Sequence, residues 1–213
     1  MIDTIVFDLD GTLIDTEKLY RKYWPMALAD YGYNLTDEMA LSLRSLGRPF
    51  APEQFKKWFG EDFDYYKVRD RRKEYVKNHI AANGIDLKPG VVRLLDYMDS
   101  HNITSAIATA TDIERTTSYL KSVGLEGRFE KIVCATMVEK GKPAPDIYRY
   151  VLEQLNCDPD TVLAVEDAPN GVISAYEAGL KVIFVPDQTD VDDSIKDKIF
   201  ARCERIDDII DLL

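Results

Sequence analysis

Residues 4–17, TIVFDLDGTLIDTE, set an apolar, β-branched run against two aspartates two positions apart, Asp8 and Asp10, with Gly11 next. Ile2 to Phe7 reads as a central strand of a parallel sheet, since a strand covered on both faces is apolar throughout rather than alternating. Gly11 ends it, and Asp15 or Thr16 is placed to cap a helix. Two carboxylates crowded at the end of a buried strand repel each other. The pair therefore predicts either a compensating cation or a chemistry that uses both acids.

Outward from this stretch the pattern changes twice. From Asp15 to about Ile85 the sequence is helical and no strand-like run occurs. Pro25 is expected to kink the first helix or start a second. Thr36 caps a helix expected to reach Gly47, Pro52 sits in the first turn of another that stops at Gly60, and a longer helix ends at Gly84. After Lys88-Pro89-Gly90 strands and helices alternate. Strands are expected at ITSAIATA, KIVCAT, TVLAVED and KVIFVP, with helices between them and a closing helix at RIDDIIDLL. Five strands joined by helices predict an α/β fold, a doubly wound parallel sheet with a Rossmann-like core. The expected division is a catalytic core of residues 1–14 and 86–213 with an all-helical cap domain, residues 15–85, inserted after the first strand.

Bulk properties narrow the function. The 213 residues are 46% hydrophobic and 31% charged, enough for a packed core. A net charge of −11 excludes nucleic acid and anionic membrane surfaces as expected partners. An anionic substrate would need a local patch of positive charge. Cys134, Cys157 and Cys203 have no paired spacing and predict reduced thiols in a cytoplasmic protein. No apolar run has the length of a membrane span and no secretion signal is visible. The size is compatible with a monomer.

Ligands of doubly wound sheets sit beyond the carboxyl ends of the strands. Asp8 and Asp10 lie there, as do Thr109, Ala110 and Thr111, Lys142 before the helix at Asp146, and Glu166 with Asp167. Four acids without His or Cys beside them favour a hard ion, and Mg²⁺ is the expected cofactor. Lys142, the Thr109 hydroxyl and the N–H groups around Ala110 suit a phosphoryl group. Asp8 can attack phosphorus, and Asp10 can protonate the leaving oxygen and then take a proton from water. Each motif alone has a bland reading as a turn or a helix cap; their joint occurrence at four strand ends does not.

In DLDGTLID, AIATAT, KGKPAPDIY and LAVEDAPNGVISAYEAG, taken in that order, the chain resembles the haloacid dehalogenase-like superfamily. KPAPDIY and EDAPNG are similar to the subgroup of β-phosphoglucomutases and small sugar-phosphate phosphatases, which carry a helical cap. The resemblance implies Asp8 as nucleophile and Asp10 as general acid and base. It implies Mg²⁺ held by Asp8, the carbonyl of Asp10 and Asp167, with Glu166 alongside, and Thr109 and Lys142 on the phosphoryl group. In the cap it points to Arg48, Arg71, Tyr20 and Glu17 as substrate contacts. Tyr20 and Arg71 stand where mutases of the subgroup have a histidine linked to a lysine, a departure that weighs against mutase activity. The expected function is a Mg²⁺-dependent phosphatase of a small phosphorylated metabolite. A sugar-phosphate mutase is the alternative, and a signalling receiver, which also uses Asp, Thr and Lys at strand ends, is a third.

Overall fold

The computed structural model describes residues 2–213. Strand β1 (Thr4–Phe7) is followed by helices α1 (Glu17–Ala29), α2 (Asp37–Ser42), α3 (Phe50–Phe59) and α4 (Tyr65–Asn83). The remainder alternates: α5 (Val91–Ser100), β2 (Thr104–Thr109), α6 (Ile113–Ser122), β3 (Lys131–Cys134), α7 (Asp146–Leu155), β4 (Val162–Glu166), α8 (Pro169–Glu177), β5 (Lys181–Phe184) and β6 (Ala201–Arg202). The strands form one sheet in the order β3-β2-β1-β4-β5-β6, and every pairing is parallel. Chain order runs outward from β1 through β2 to β3, then returns to the other side of β1 as β4. The ends of β1, β2 and β4 therefore flank the point where strand order reverses, the place such a sheet leaves open for a ligand.

The strand period of two builds both faces of the core. Ile5 and Phe7 pack with Leu94, Met98 and Leu120 on one side, while Val6 packs with Ala106, Tyr148 and Val172 on the other. The helical block has its own apolar cluster around Trp24, Phe55 and Tyr65, so it does not depend on the sheet for a core.

Four expectations need correction. There are six strands: the two-residue β6 pairs with the end of β5 and is too short to show a period. The closing RIDDIIDLL segment is a 3₁₀-helix over Ile206–Leu212. Helix α1 runs unbroken through Pro25, because burial of Tyr20, Tyr23, Trp24, Ala27 and Leu28 outweighs the one backbone bond that proline removes. Helix α2 stops at Ser42 rather than near Gly47. Asn170 of the core takes the carbonyls of Ser42 and Arg44, and Ser45 turns left-handed at φ 54°. Among the described residues no helix is long and apolar enough to cross a membrane.

Candidate active site

The β1 ladder continues one residue past the strand, where Asp8 N–H donates to Val165 C=O at 2.9 Å. This aims the Asp8 side chain beyond the sheet, where it is buried. Lys142, fully buried, donates to Asp8 Oδ1 and Glu166 Oε1, each at 2.6 Å. Glu166 Oε1 also accepts from the Tyr148 hydroxyl. Glu166 and Asp167 leave the end of β4 with no solvent exposure. Both are seated against glycine backbone. A Cβ on Gly171, in the first turn of α8, would collide with the Glu166 carboxylate, and one on Gly11 (φ +89°) would collide with Asp167.

This leaves three buried carboxylate oxygens without a hydrogen-bond partner: Asp8 Oδ2, Glu166 Oε2 and Asp167 Oδ2. The three residues can each offer an oxygen within 4.8 Å of the others'. Burial, with the charges of Glu166 and Asp10, pushes the Asp8 carboxyl up to about 7 although Lys142 opposes it. Burial and the charges of Asp8 and Glu166 likewise push Asp167 well up, and the two carboxylates hold Lys142 firmly protonated against its own burial. Three carboxylates facing Lys142, with only Arg44 4.0 Å from Asp167 besides, are short of positive charge, and an all-oxygen donor set with orphaned lone pairs fits a hard divalent cation such as Mg²⁺.

Asp10 is held differently. Its Oδ1 accepts from the hydroxyls of Thr16 and, at 3.0 Å, Tyr20, and its Oδ2 accepts from Thr111 at 2.7 Å. The Thr16 hydroxyl is thereby diverted from capping α1, which has no side-chain cap bond. The Asp10 carboxylate is thus outside the cluster formed by Asp8, Glu166 and Asp167; the metal contact that the resemblance implies for Asp10 is its backbone carbonyl. Thr109 is buried behind the site and its hydroxyl accepts the Thr111 N–H at 3.0 Å. Ala110 and Thr111 are the residues of that turn that line the cavity.

The helical block closes over these groups and leaves a cavity of about 80 Å³. Glu17 and Tyr20, which the resemblance points to as substrate contacts, line it. Glu17 is pushed up by burial and by Asp167 and Asp10. Arg48 lines an adjoining recess with Arg69, Ala110 and Asp112. Its carbonyl accepts from Gly141 N–H, and Gly47 N–H donates to the Lys142 carbonyl, both at 2.7 Å. The backbones of Gly47 and Gly141 approach so closely that a Cβ on either would clash, which is the physical reason for glycine on both sides of the seam.

Arg71 is misplaced by the sequence reading. It points outward to Asp30 and Glu74, each at 2.7 Å, and lies over Tyr75. Its neighbour Arg72 faces inward, buried, with its guanidinium 4.5 Å from the ring centres of both Tyr20 and Trp24. One helical residue turns a side chain by ~100°, so a shift of one position exchanges solvent for cavity. Arg69, three residues earlier on the same face, lines the cavity with Arg72, and Arg115 of α6 completes the lining there. The sequence reading missed Arg72 and Arg69 as site residues, and it missed Arg115, Thr16 and Tyr148; Thr111 it placed at the strand end without a role. It also missed Arg44, a buried arginine of the helical block whose Nη1 is 4.0 Å from Asp167 Oδ2. Only the second threonine of TAT and the three-residue spacing of Arg69 and Arg72 could have signalled any of them.

A family model described as haloacid dehalogenase-like hydrolase matches residues 5–185. The chain is 30% identical over 187 residues to a protein of Thermotoga maritima named phosphorylated carbohydrates phosphatase, covering 86% of this chain and 84% of that one. It is 30% identical over 198 residues to protein CbbY of Rhodobacter capsulatus, covering 88% and 86%. The crystal structure of CbbY from Rhodobacter sphaeroides in complex with phosphate superposes with a TM-score of 0.80 at 26% identity, over 98% of this chain and 96% of that one.

Proposed function

The chain belongs to the haloacid dehalogenase-like hydrolases, and on that premise we propose that it is a Mg²⁺-dependent phosphatase of a small phosphorylated metabolite, a sugar phosphate or similar. The observation that carries this reading is the Lys142 bridge between Asp8 and Glu166 beside three unpartnered buried carboxylate oxygens. The arrangement holds a carboxylate nucleophile in a place short of positive charge, and a phosphoryl group bound with a cation removes that shortage. The names of the relatives support the same reaction class.

In the proposed reaction Asp8 Oδ attacks phosphorus in line, the bond from phosphorus to the leaving alcohol breaks, and Asp10 gives its proton to that oxygen. Asp10 then takes a proton from water as the water oxygen attacks phosphorus, which breaks the aspartyl–phosphate bond and frees phosphate and Asp8. Thr16, Tyr20 and Thr111 hold Asp10 in one orientation for both transfers. Lys142 and the N–H group at Ala110 bind phosphoryl oxygens. Asp8, Glu166 and Asp167 would hold Mg²⁺, which supplies positive charge against the phosphoryl oxygens when bound. Residues 15–85 act as a cap on a core of residues 1–14 and 86–213, excluding water while the aspartyl phosphate forms.

Phosphate release from a panel of phosphorylated sugars, nucleotides and short acids, with Mg²⁺ and with chelator, tests the reading. Mg²⁺-dependent release of phosphate is expected. Conversion of β-glucose 1-phosphate to glucose 6-phosphate faster than to free phosphate would favour the mutase. No turnover on any substrate would overturn the enzyme reading.

A further inference from the structure

Tyr148 is among the largest side chains of this protein to be wholly buried. It stands in the first turn of α7, and its ring packs in the same cluster as Val6, Ala106 and Val172 on one face of the sheet. Those neighbours are apolar, and a phenylalanine would fill the same space without burying a polar atom. A buried hydroxyl costs free energy unless it is hydrogen-bonded. Among the described residues the Tyr148 hydroxyl has one partner, Glu166 Oε1. The polar atom therefore answers to Glu166 and not to the packing of the helix.

The carboxylate of Glu166 is divided. Oε1 accepts from Lys142 at 2.6 Å as well as from Tyr148, whereas Oε2 is buried and accepts from no group. The two donors on Oε1 are unlike. Lys142 carries its ammonium on a flexible stem and is shared with Asp8, also at 2.6 Å. Tyr148 has a rigid ring seated in the core. The last torsion of a glutamate is broad and roughly two-fold, so a fixed backbone does not decide which of its oxygens faces which way. A donor that cannot move does decide it. The same ring lies beside Lys142, whose Nζ is 5.3 Å from the ring centre.

We propose that Tyr148 is a positioning residue for the cation: its hydroxyl holds Oε1 of Glu166, so that Oε2 is the oxygen left to a divalent ion, and it keeps Glu166 so turned when Lys142 swings toward a phosphoryl oxygen. The proposal rests on the phosphatase reading and deepens it. Without the hydroxyl, Lys142 is the sole partner of Glu166, and a phosphoryl group that draws Lys142 away frees the carboxylate to rotate. Partners that orient metal-binding side chains from behind set affinity strongly.

The test compares the wild-type chain with Tyr148→Phe, which keeps the ring and leaves Lys142 on Glu166. The dissociation constant for Mg²⁺ is read without substrate from the rise of melting temperature with Mg²⁺, and again from the Mg²⁺ dependence of phosphate release. Tyr148→Phe should raise that constant about tenfold, and saturating Mg²⁺ should restore most of kcat. Val151→Ala, one turn further along α7 in the same apolar cluster, is the control for packing. It should lower the melting temperature in chelator and leave the Mg²⁺ constant within about twofold. Tyr148→Met, which also lacks the hydroxyl, carries the measurement if the phenylalanine variant does not fold. A Mg²⁺ constant raised no more than in Val151→Ala, or a loss of kcat that Mg²⁺ does not restore, overturns the proposal while leaving a phosphatase. A wild type whose melting temperature and phosphate release both ignore Mg²⁺ would instead remove the reading beneath it.

Discussion

Replacing Asp8 by Asn should abolish turnover and, in metal-free protein, make the fold more stable as pH rises. Asp8 is raised from an ordinary 3.8 to about 7 in the native state by burial among Glu166 and Asp10. An acid raised on folding destabilises the native state once ionised. The penalty is absent below the unfolded value of 3.8, grows through the interval to about 7, and is complete above it. At ~1.4 kcal/mol per unit, the penalty is about 2 kcal/mol near pH 5.5 and about 4 kcal/mol near pH 7.5. Asn carries no such penalty. The attraction of Lys142 is already contained in that raised value and adds no separate dependence on pH, since Lys142 itself stays charged beside Glu166. The informative quantity is therefore the change with pH. The melting temperature of Asp8→Asn minus that of wild type, in chelator, should rise by about 4–8 °C between pH 5.5 and 7.5. Saturating Mg²⁺ should erase the trend, since the cation stabilises ionised Asp8. Calorimetry on both proteins at the two pH values reads this directly, and a phosphate-release assay reads the loss of turnover. A pH-independent difference, or retention of more than about a tenth of wild-type turnover, refutes the assignment of Asp8 as a crowded, cation-dependent nucleophile.

Other outcomes follow from the same geometry. Gly171→Ala places a methyl group against the Glu166 carboxylate and should cost about 1–3 kcal/mol, read as a fall of some 2–10 °C in melting temperature. Tyr20→Phe removes one of three hydroxyls holding Asp10 and should lower kcat about three- to tenfold with little change in KM, as steady-state kinetics will show. An unchanged kcat would mean that Thr16 and Thr111 alone orient the acid. Arg71→Ala breaks exposed ion pairs with Asp30 and Glu74 and should leave the melting temperature within about 2 °C and kcat/KM within about twofold. A larger kinetic loss would return Arg71 to the substrate site.

The core of the fold was legible because parallel strands buried on both faces must be apolar along their whole length and must end abruptly at polar, ligand-facing residues. Phe7-Asp8, Val165-Glu166 and the ATAT turn each show that junction, and so the floor of the site was readable residue by residue. Elements with no such junction were not. A two-residue strand such as β6 has no period to detect, and the continuation of α1 through Pro25 depends on aromatic packing that local propensity does not contain.

The helical block of residues 15–85 shows the limit most plainly. Its helices were visible as helices, yet Arg71 was placed in the site and Arg72 was not, because a charge run on a helix reveals a rotation only once the partner surface is known. Arg44 was invisible for a related reason: its placement 4.0 Å from Asp167 depends on Asn170 ending α2 from another part of the chain. By itself, then, the sequence determined the sheet, its switch point and which acids and lysine stand at the strand ends, since those follow from burial and chain order. Tertiary structure alone decided which side chains of the helical block face the cavity and how Asp10 is held. Asp10 meets Thr16 and Tyr20 nearby in the chain but Thr111 only across 101 positions, and no local pattern encodes the angle at which two separately packed bodies meet.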